Sequence, residues 1–137
     1  MESSVPAVHH KKILIVDDEN DLVAVLAMRL SAMGYGSVET AANAQAGREK
    51  LRTQLPDVIL LDIRMPGMSG WDFCAELKAG PRTRHIPVLF LTAEQTLTMD
   101  DKLKASGAAG VLQKPFELED LDRILNTLLN QAPAARG

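Results

Sequence analysis

The chain has 137 residues, 46% hydrophobic and 24% charged, which is typical of a single globular domain with one hydrophobic core. Its net charge of −3 gives no reason to expect nucleic-acid binding, and no apolar run approaches the roughly 20 residues that span a bilayer. The single cysteine, Cys74, excludes an internal disulfide, and residues 1–12 lack the apolar core of a secretory signal, so we expect a cytoplasmic protein.

Five strand-like segments alternate with five helical ones. Residues 13–16, 58–61 and 88–91 are continuous apolar runs typical of buried parallel strands, whereas residues 37–41 alternate and favour an edge strand. A short fifth strand is predicted at residues 110–112. Apolar spacing, caps and breakers predict helices at residues 20–33, 43–53, 71–79, 96–105 and 118–128, of which the fourth has few apolar anchors.

This alternation predicts the α/β class, a doubly wound parallel sheet with helices on both faces. In such sheets, ligands bind beyond the carboxyl ends of the strands, where the strand order reverses. Polar residues with related chemistry follow four of the predicted strands: Asp17 and Asp18, Asp62, Thr92, and Lys114. Three carboxylates, a hydroxyl and an ammonium at one sheet edge indicate a site for a divalent cation and a phosphoryl group.

With these motifs in this order, the sequence resembles the receiver domain of two-component response regulators over about residues 12–129. The resemblance implies a flavodoxin-like (βα)5 three-layer sandwich whose five parallel strands lie in the order 2-1-3-4-5. We therefore expect a receiver domain at residues 11–130 between disordered tails at residues 1–10 and 131–137.

The resemblance also implies roles for the acidic residues. Asp62 is expected to accept the phosphoryl group as an acyl phosphate, with Mg²⁺ as the cofactor. Asp18 is expected to bind Mg²⁺ directly, Asp17 through water, and Arg64 through its backbone carbonyl. The alternative for Asp17 and Asp18 is an N-terminal cap of the following helix.

Two further residues are expected to contact the phosphoryl group by the same resemblance. Lys114 would pair with Asp62 before phosphorylation and with the phosphate after it, aimed inward by a cis peptide bond to Pro115. Thr92 would donate its hydroxyl to a phosphate oxygen, and the small Ala93 would leave room for the group. The alternatives are a solvated lysine before a helix that begins at Pro115, and a helix cap for Thr92. We assign Trp71, Phe73 and the lone Cys74 to packing rather than to the site.

The sequence departs from the family pattern where many receivers carry an aromatic residue, three positions before the lysine, because that residue is Val111. We therefore expect signalling to depend on displacement of the loop after Thr92 and of the weak helix at residues 96–105. A second expectation pairs Arg64 with Glu94 at the mouth of the site, where they would limit the water that hydrolyses the acyl phosphate; the alternative is two unrelated surface charges.

The leading interpretation is a signalling switch that catalyses only its own phosphorylation and dephosphorylation. The expected donor is a histidine kinase or a histidine phosphotransfer protein, and the change would pass to a downstream target or output domain. We expect neither direct nucleic-acid binding nor membrane binding, and either a monomer or a phosphorylation-dependent dimer. The chain could also be a receiver fragment of a larger DNA-binding or enzymatic regulator, or of a hybrid kinase.

Two other functional classes fit the residues less well. A Mg²⁺-dependent phosphatase or phosphotransferase of this chemistry usually needs a second aspartate two residues after the nucleophile, where this chain has Arg64. A flavin-type binder of the same topology would need a Ser-, Thr- or Gly-rich loop after the first strand. The carboxylates of Asp17, Asp18 and Glu19 would repel a phosphate at that loop unless a metal ion intervened.

Overall fold

The computed structural model describes residues 10–93 and 99–130. Within these ranges, strands and helices alternate from the first element to the last, as predicted. The elements are β1 Lys12–Val16, α1 Asn20–Ala32, β2 Ser37–Ala41, α2 Ala44–Thr53, β3 Val58–Asp62, α3 Gly70–Ala79, β4 Val88–Thr92, α4 Met99–Ser106, β5 Gly110–Gln113 and α5 Leu118–Leu129. None of these helices is long and apolar enough to cross a membrane.

The strands form one parallel sheet in the order β2-β1-β3-β4-β5, which confirms the predicted fold class. The order reverses at β1, since β1 lies between β2 and β3. Val16 is level with Leu61 in the β1–β3 pairing, so the residues that follow them, Asp17 and Asp62, lie side by side at the carboxyl ends of these strands. The topology thus brings together carboxylates that lie far apart in the sequence.

Apolar side chains on the two faces of the sheet form two core clusters, because successive strand residues point to opposite faces. One cluster joins α1 and α5 to the sheet, and its buried members include Ile13, Ile15, Leu26, Leu30, Leu121 and Leu125. The other joins α2, α3 and α4 to the sheet, and its buried members include Val16, Leu51, Phe73, Cys74, Phe90 and Met99. The molecule therefore has the three expected layers, and the interpretation of Phe73 and Cys74 as packing residues is confirmed.

Side-chain caps fix where α2 and α3 begin. Asn43 caps α2 as expected, accepting a hydrogen bond from the Ala46 amide at 2.8 Å. Ser69 caps α3 through the Asp72 amide at 3.2 Å, so α3 begins at Gly70, one residue earlier than predicted. The predicted start of the fourth helix, at residues 96–98, lies outside the described residues.

The predicted tails also lie outside the described part of the chain, except for His10. The proposed domain limits at residues 11 and 130 therefore stay a prediction. Strands β3 and β4 each run one residue further than predicted, so Asp62 and Thr92 are the last residues of buried strands. The sheet therefore fixes the backbone of both residues.

Candidate functional site

Three carboxylates gather at the carboxyl ends of β1 and β3. Asp17, Asp18 and Asp62 each offer one oxygen atom, and these atoms lie within 4.8 Å of one another. Asp17 is 1% exposed and Asp62 is 6% exposed, whereas Asp18 faces solvent. The predicted acidic site residues are therefore brought together by the fold.

Asp17 is held in place by the backbone on both sides of it. Its amide donates to the Ala41 carbonyl at 3.0 Å, which continues the β1–β2 pairing, and its Oδ1 accepts from the Glu19 amide at 3.0 Å. Helix α1 has Glu19 at its N-cap position, with no side-chain cap. The alternative interpretation of Asp17 and Asp18 as helix caps is therefore wrong.

The site disfavours a negative charge on Asp62. Burial and the neighbouring charge of Asp17 raise the pKa of Asp62 from 3.8 to about 6, although Lys114 and the Arg64 amide act in the opposite direction. The Arg64 amide lies 3.4 Å from Asp62 Oδ1. A cation bound between these carboxylates would relieve their mutual repulsion.

Lys114 reaches back from the end of β5 into the acidic cluster. Its Nζ lies 2.8 Å from Asp17 Oδ2, 2.6 Å from Glu19 Oε1 and 3.9 Å from Asp62 Oδ1. The lysine side chain is 10% exposed, so the interpretation of a solvated lysine is wrong. The expected ion pair with Asp62 is present at 3.9 Å, and Asp17 and Glu19 are nearer partners of the same ammonium.

Hydrogen bonds hold Lys114 in place and favour its positive charge. Its amide donates to the Thr92 carbonyl at 2.7 Å, and the Lys114–Pro115 bond is cis, as predicted. Burial alone would lower the pKa of Lys114, but the hydrogen bonds with Asp17 and Glu19 outweigh burial and raise it above its ordinary value. The ammonium is therefore charged throughout the physiological pH range.

Thr92 is the last residue of β4. Asp62 is level with Leu91, so Thr92 lies one position beyond Asp62 along the sheet. On its other side, Thr92 pairs with Gln113 of β5. It is 1% exposed, and the Ala93 that follows it is exposed. Residues 94–98 lie outside the described ranges. The helix-cap alternative for Thr92 and the expected pairing of Arg64 with Glu94 both depend on these residues and therefore stay predictions.

A groove opens beside the carboxylates and is lined by residues from the loops after β1 and β3, from α3 and from α4. Its lining includes Asp18, Arg64, Met65, Ser69, Trp71 and Lys102. Trp71 packs on Phe90 with the ring centroids 4.6 Å apart, and the Lys102 ammonium lies 5.8 Å from the Trp71 ring centre. Trp71 therefore joins the core, as predicted, but it also borders the site, for which the sequence pattern gave no signal.

Gly70 allows the loop after β3 to pack tightly against the backbone of Asp62. A Cβ atom at Gly70 would lie 2.2 Å from the Asp62 carbonyl oxygen and 2.7 Å from Ile63 Cα. The Gly70 amide donates to the Ile63 carbonyl at 2.8 Å, which closes the loop. The contact of Gly70 with the backbone of Asp62 has no signal in the sequence, because it requires the fold to be known.

The donor set fits Mg²⁺. Carboxylate oxygens are the ligands that this hard cation prefers, and it usually keeps several waters beside one or two protein carboxylates. Asp17 and Asp62 are buried with their oxygens turned toward each other and toward the exposed Asp18. Repulsion between the carboxylates makes this arrangement unfavourable without a cation, and a bound cation would remove that repulsion.

The family model of the response regulator receiver domain matches residues 13–126. The chain therefore belongs to this family of two-component signalling proteins. Among curated relatives, the response regulator PleD of Caulobacter vibrioides is 41% identical over 108 residues, which cover 77% of this chain and 23% of PleD. The chain spans between 23% and 53% of the length of the first curated relatives that it matches.

Solved structures agree with this assignment. The chemotaxis protein CheY4 of Vibrio cholerae superposes with a TM-score of 0.82 and 34% identity, covering 88% of this chain and 99% of CheY4. The response regulator TrrA of Thermotoga maritima, solved in complex with Mg²⁺-BeF, superposes with a TM-score of 0.76 and 29% identity over 87% of this chain and 99% of TrrA. These similarities confirm both the receiver family and its flavodoxin-like fold.

Proposed function

We propose that this receiver domain is a phosphoryl-accepting switch whose acceptor is Asp62. The observation that carries the proposal is the cluster of Asp17, Asp18 and Asp62, whose oxygens lie within 4.8 Å of one another with the Lys114 ammonium beside them. Asp62 sits at the centre of the sheet edge, on a fully buried strand, and so is held in a constant position. A fixed, desolvated carboxylate of this kind is suited to act as a nucleophile.

In this proposal, Asp17, Asp18, Asp62 and the backbone carbonyl of Arg64 hold Mg²⁺. The bound cation would supply positive charge to the phosphate oxygens and to the crowded carboxylates. The Mg²⁺-BeF complex of TrrA supports this cofactor for the family. The raised pKa of Asp62 supports it for this chain, because the repulsion that raises the pKa is what a cation would remove.

The proposed reaction transfers one phosphoryl group. An oxygen of Asp62 forms a bond to phosphorus while the bond from phosphorus to a donor imidazole nitrogen breaks, and the electron pair of that bond returns to the nitrogen. Lys114 then offers its ammonium to the phosphate oxygens, and Thr92 offers its hydroxyl. Both lie at neighbouring strand ends, because Thr92 pairs with Gln113 in the sheet.

The proposed donor is a histidine kinase or a histidine phosphotransfer protein, and the proposed readers are a downstream protein or an output domain. Transcriptional regulators such as PhoB of Rhizobium meliloti are among the relatives, at 32% identity. The proposed relay uses Thr92 and α4, because Val111 is only half-buried beside Phe90 and has no ring to turn inward. A cytoplasmic location fits the free, buried Cys74.

The test is phosphorylation by a small acyl-phosphate donor, followed by intact-mass measurement. The wild-type protein should gain one phosphoryl group in the presence of Mg²⁺, and it should gain none when Mg²⁺ is chelated. Asp62→Asn, folded to the same degree by circular dichroism, should gain none under either condition. A phosphoryl group gained equally by Asp62→Asn would contradict the assignment of the acceptor.

A further inference from the structure

Glu19 is the acidic residue nearest to Lys114, although it has no part in the proposed transfer. Its Oε1 lies 2.6 Å from Lys114 Nζ, compared with 2.8 Å for Asp17 Oδ2 and 3.9 Å for Asp62 Oδ1. Two carboxylates are therefore within hydrogen-bond distance of the ammonium, and the proposed acceptor is beyond that distance.

Within residues 10–93 and 99–130, Lys114 is the one hydrogen-bond or ion-pair partner of the Glu19 side chain. The Glu19 amide donates to Asp17 Oδ1, and the Glu19 carbonyl accepts from the Val23 amide at 3.0 Å, so Glu19 takes part in the start of α1 through its backbone and not through its side chain. The side chain makes no cap hydrogen bond. It is 58% exposed, yet it turns toward a lysine that is 10% exposed.

We propose that Glu19 is a positioning residue that holds Lys114 in a resting position beyond hydrogen-bond distance of Asp62. This inference rests on the proposed function, because it concerns the lysine that contacts the phosphoryl group. A phosphoryl group on Asp62 brings new anionic oxygens, and these must draw the ammonium away from Glu19. Glu19 thus stabilises the unphosphorylated state relative to the phosphorylated state.

The expected size of the effect follows from the exposure of Glu19. An exposed ion pair contributes little because solvent screens it, so loss of the Glu19 charge should favour the phosphorylated state by about two- to fivefold. Asp17, which is buried, also pairs with Lys114 at 2.8 Å and should keep the lysine inside the site. Glu19 therefore sets how readily the switch responds, and its removal should leave the switch functional.

The test compares Glu19→Gln with a matched control, Asp21→Asn, which removes an exposed charge from the first turn of the same helix. Beryllium fluoride with Mg²⁺ serves as the probe, because its anion imitates a bound phosphoryl group. Glu19→Gln should bind the probe about two- to fivefold more tightly, and Asp21→Asn should bind it like the wild type. The gain should vanish when Lys114→Met is added to Glu19→Gln, by comparison with Lys114→Met alone.

A spectroscopic measurement tests the resting contact by itself. The ammonium group of Lys114, protected from exchange by its two carboxylates, should give a nitrogen-15 NMR signal that weakens or shifts in Glu19→Gln and stays in Asp21→Asn. An unchanged Lys114 signal in Glu19→Gln, or equal gains in probe binding by both variants, would overturn the inference. Failure of the wild type itself to bind the probe or accept a phosphoryl group would instead overturn the proposed function.

Discussion

Asp62 is a carboxylate whose charge is unfavourable in the folded protein without a metal ion. Its pKa is raised to about 6 in the fold from an ordinary value of 3.8, so the folded state binds the proton more tightly than the unfolded state. The stability that this proton contributes is present below pH 4 and is lost as the pH rises through about 6. At neutral pH, the ionised Asp62 therefore destabilises the metal-free protein.

We predict that Asp62→Asn stabilises the metal-free protein by about 2 kcal/mol at pH 8, because asparagine carries no charge. The gain should shrink toward zero as the pH falls below 4, where Asp62 is protonated in both states. Urea unfolding at the two pH values, with a chelator present, measures the difference. An Asp62→Asn protein less stable than the wild type at pH 8 would contradict this interpretation of the pKa.

Asp57→Asn is the control for a general effect of charge removal. Asp57 lies just before β3, at the opposite end of the strand, and its Oδ2 accepts a hydrogen bond from the Lys12 amide at 2.8 Å. The Asp57 carboxylate therefore accepts a favourable hydrogen bond, and Asp57→Asn should bring no gain in stability. Mg²⁺ should stabilise the wild type and Asp57→Asn alike, because a ligand that binds only the folded state stabilises it.

At the scale of elements, the loop between β3 and α3 depends on Gly70. An alanine at Gly70 would place its Cβ 2.2 Å from the Asp62 carbonyl oxygen, so the loop or the strand end must move. We predict that Gly70→Ala costs about 3 kcal/mol of stability, as overpacking against backbone does, and weakens Mg²⁺ binding by displacing Asp62. Urea unfolding and a Mg²⁺ titration measure the two effects.

Gly110→Ala is the matched control for this substitution. Its Cβ would lie 3.6 Å from Leu89 Cδ1, which is ordinary van der Waals contact, so Mg²⁺ affinity should be unchanged. If Gly70→Ala bound Mg²⁺ as tightly as the wild type, the loop would not position Asp62.

Helix α4 is connected to the site through Trp71, the single tryptophan of the chain. Lys102 of α4 lies over its ring, Phe90 of β4 packs against it, and the ring borders the groove beside Asp18. We predict that phosphorylation changes the fluorescence of Trp71, because displacement of α4 moves the Lys102 charge relative to the ring. Lys102→Ala should reduce this change, which a fluorescence titration with an acyl phosphate measures.

Lys104→Ala removes a similar exposed charge from the same helix and should leave the fluorescence change intact. If both lysine variants responded like the wild type, Trp71 would not report on α4. Such a result would also weaken the proposed relay through α4.

At the scale of the whole molecule, the sequence pattern was sufficient to predict the α/β class and the parallel sheet because the strands are strongly marked. Residues 58–61 and 88–91 are uninterrupted apolar runs, and the alternation of strands and helices leaves few parallel topologies. The pattern also predicted that the three aspartates would lie at one sheet edge with Thr92 and Lys114. Each of these residues follows an apolar strand segment directly or nearly so. The strand order itself came from the family resemblance and not from periodicity.

Contacts between side chains on separate elements could not be predicted in this way. Glu19 and Lys114 are 95 residues apart. Lys114 Nζ lies 2.6 Å from Glu19 and 3.9 Å from Asp62, and a sequence pattern cannot resolve such a difference in distance. The approach of Gly70 to Asp62 and the packing of Trp71 on Phe90 depend on how a loop and a helix are placed on the sheet. Sequence patterns record which face a residue occupies, and they do not record which neighbour it meets there.

The central claim is that Asp62 receives the phosphoryl group, and locating that group tests it most directly. After incubation with an acyl phosphate and Mg²⁺, borohydride reduction converts an aspartyl phosphate to homoserine, which peptide mass spectrometry can place in the sequence. We predict homoserine at position 62, in a Mg²⁺-dependent amount, with Asp17 and Asp18 unmodified. Homoserine at position 17 or 18, or a phosphoryl group retained on a serine, threonine or histidine, would contradict the account.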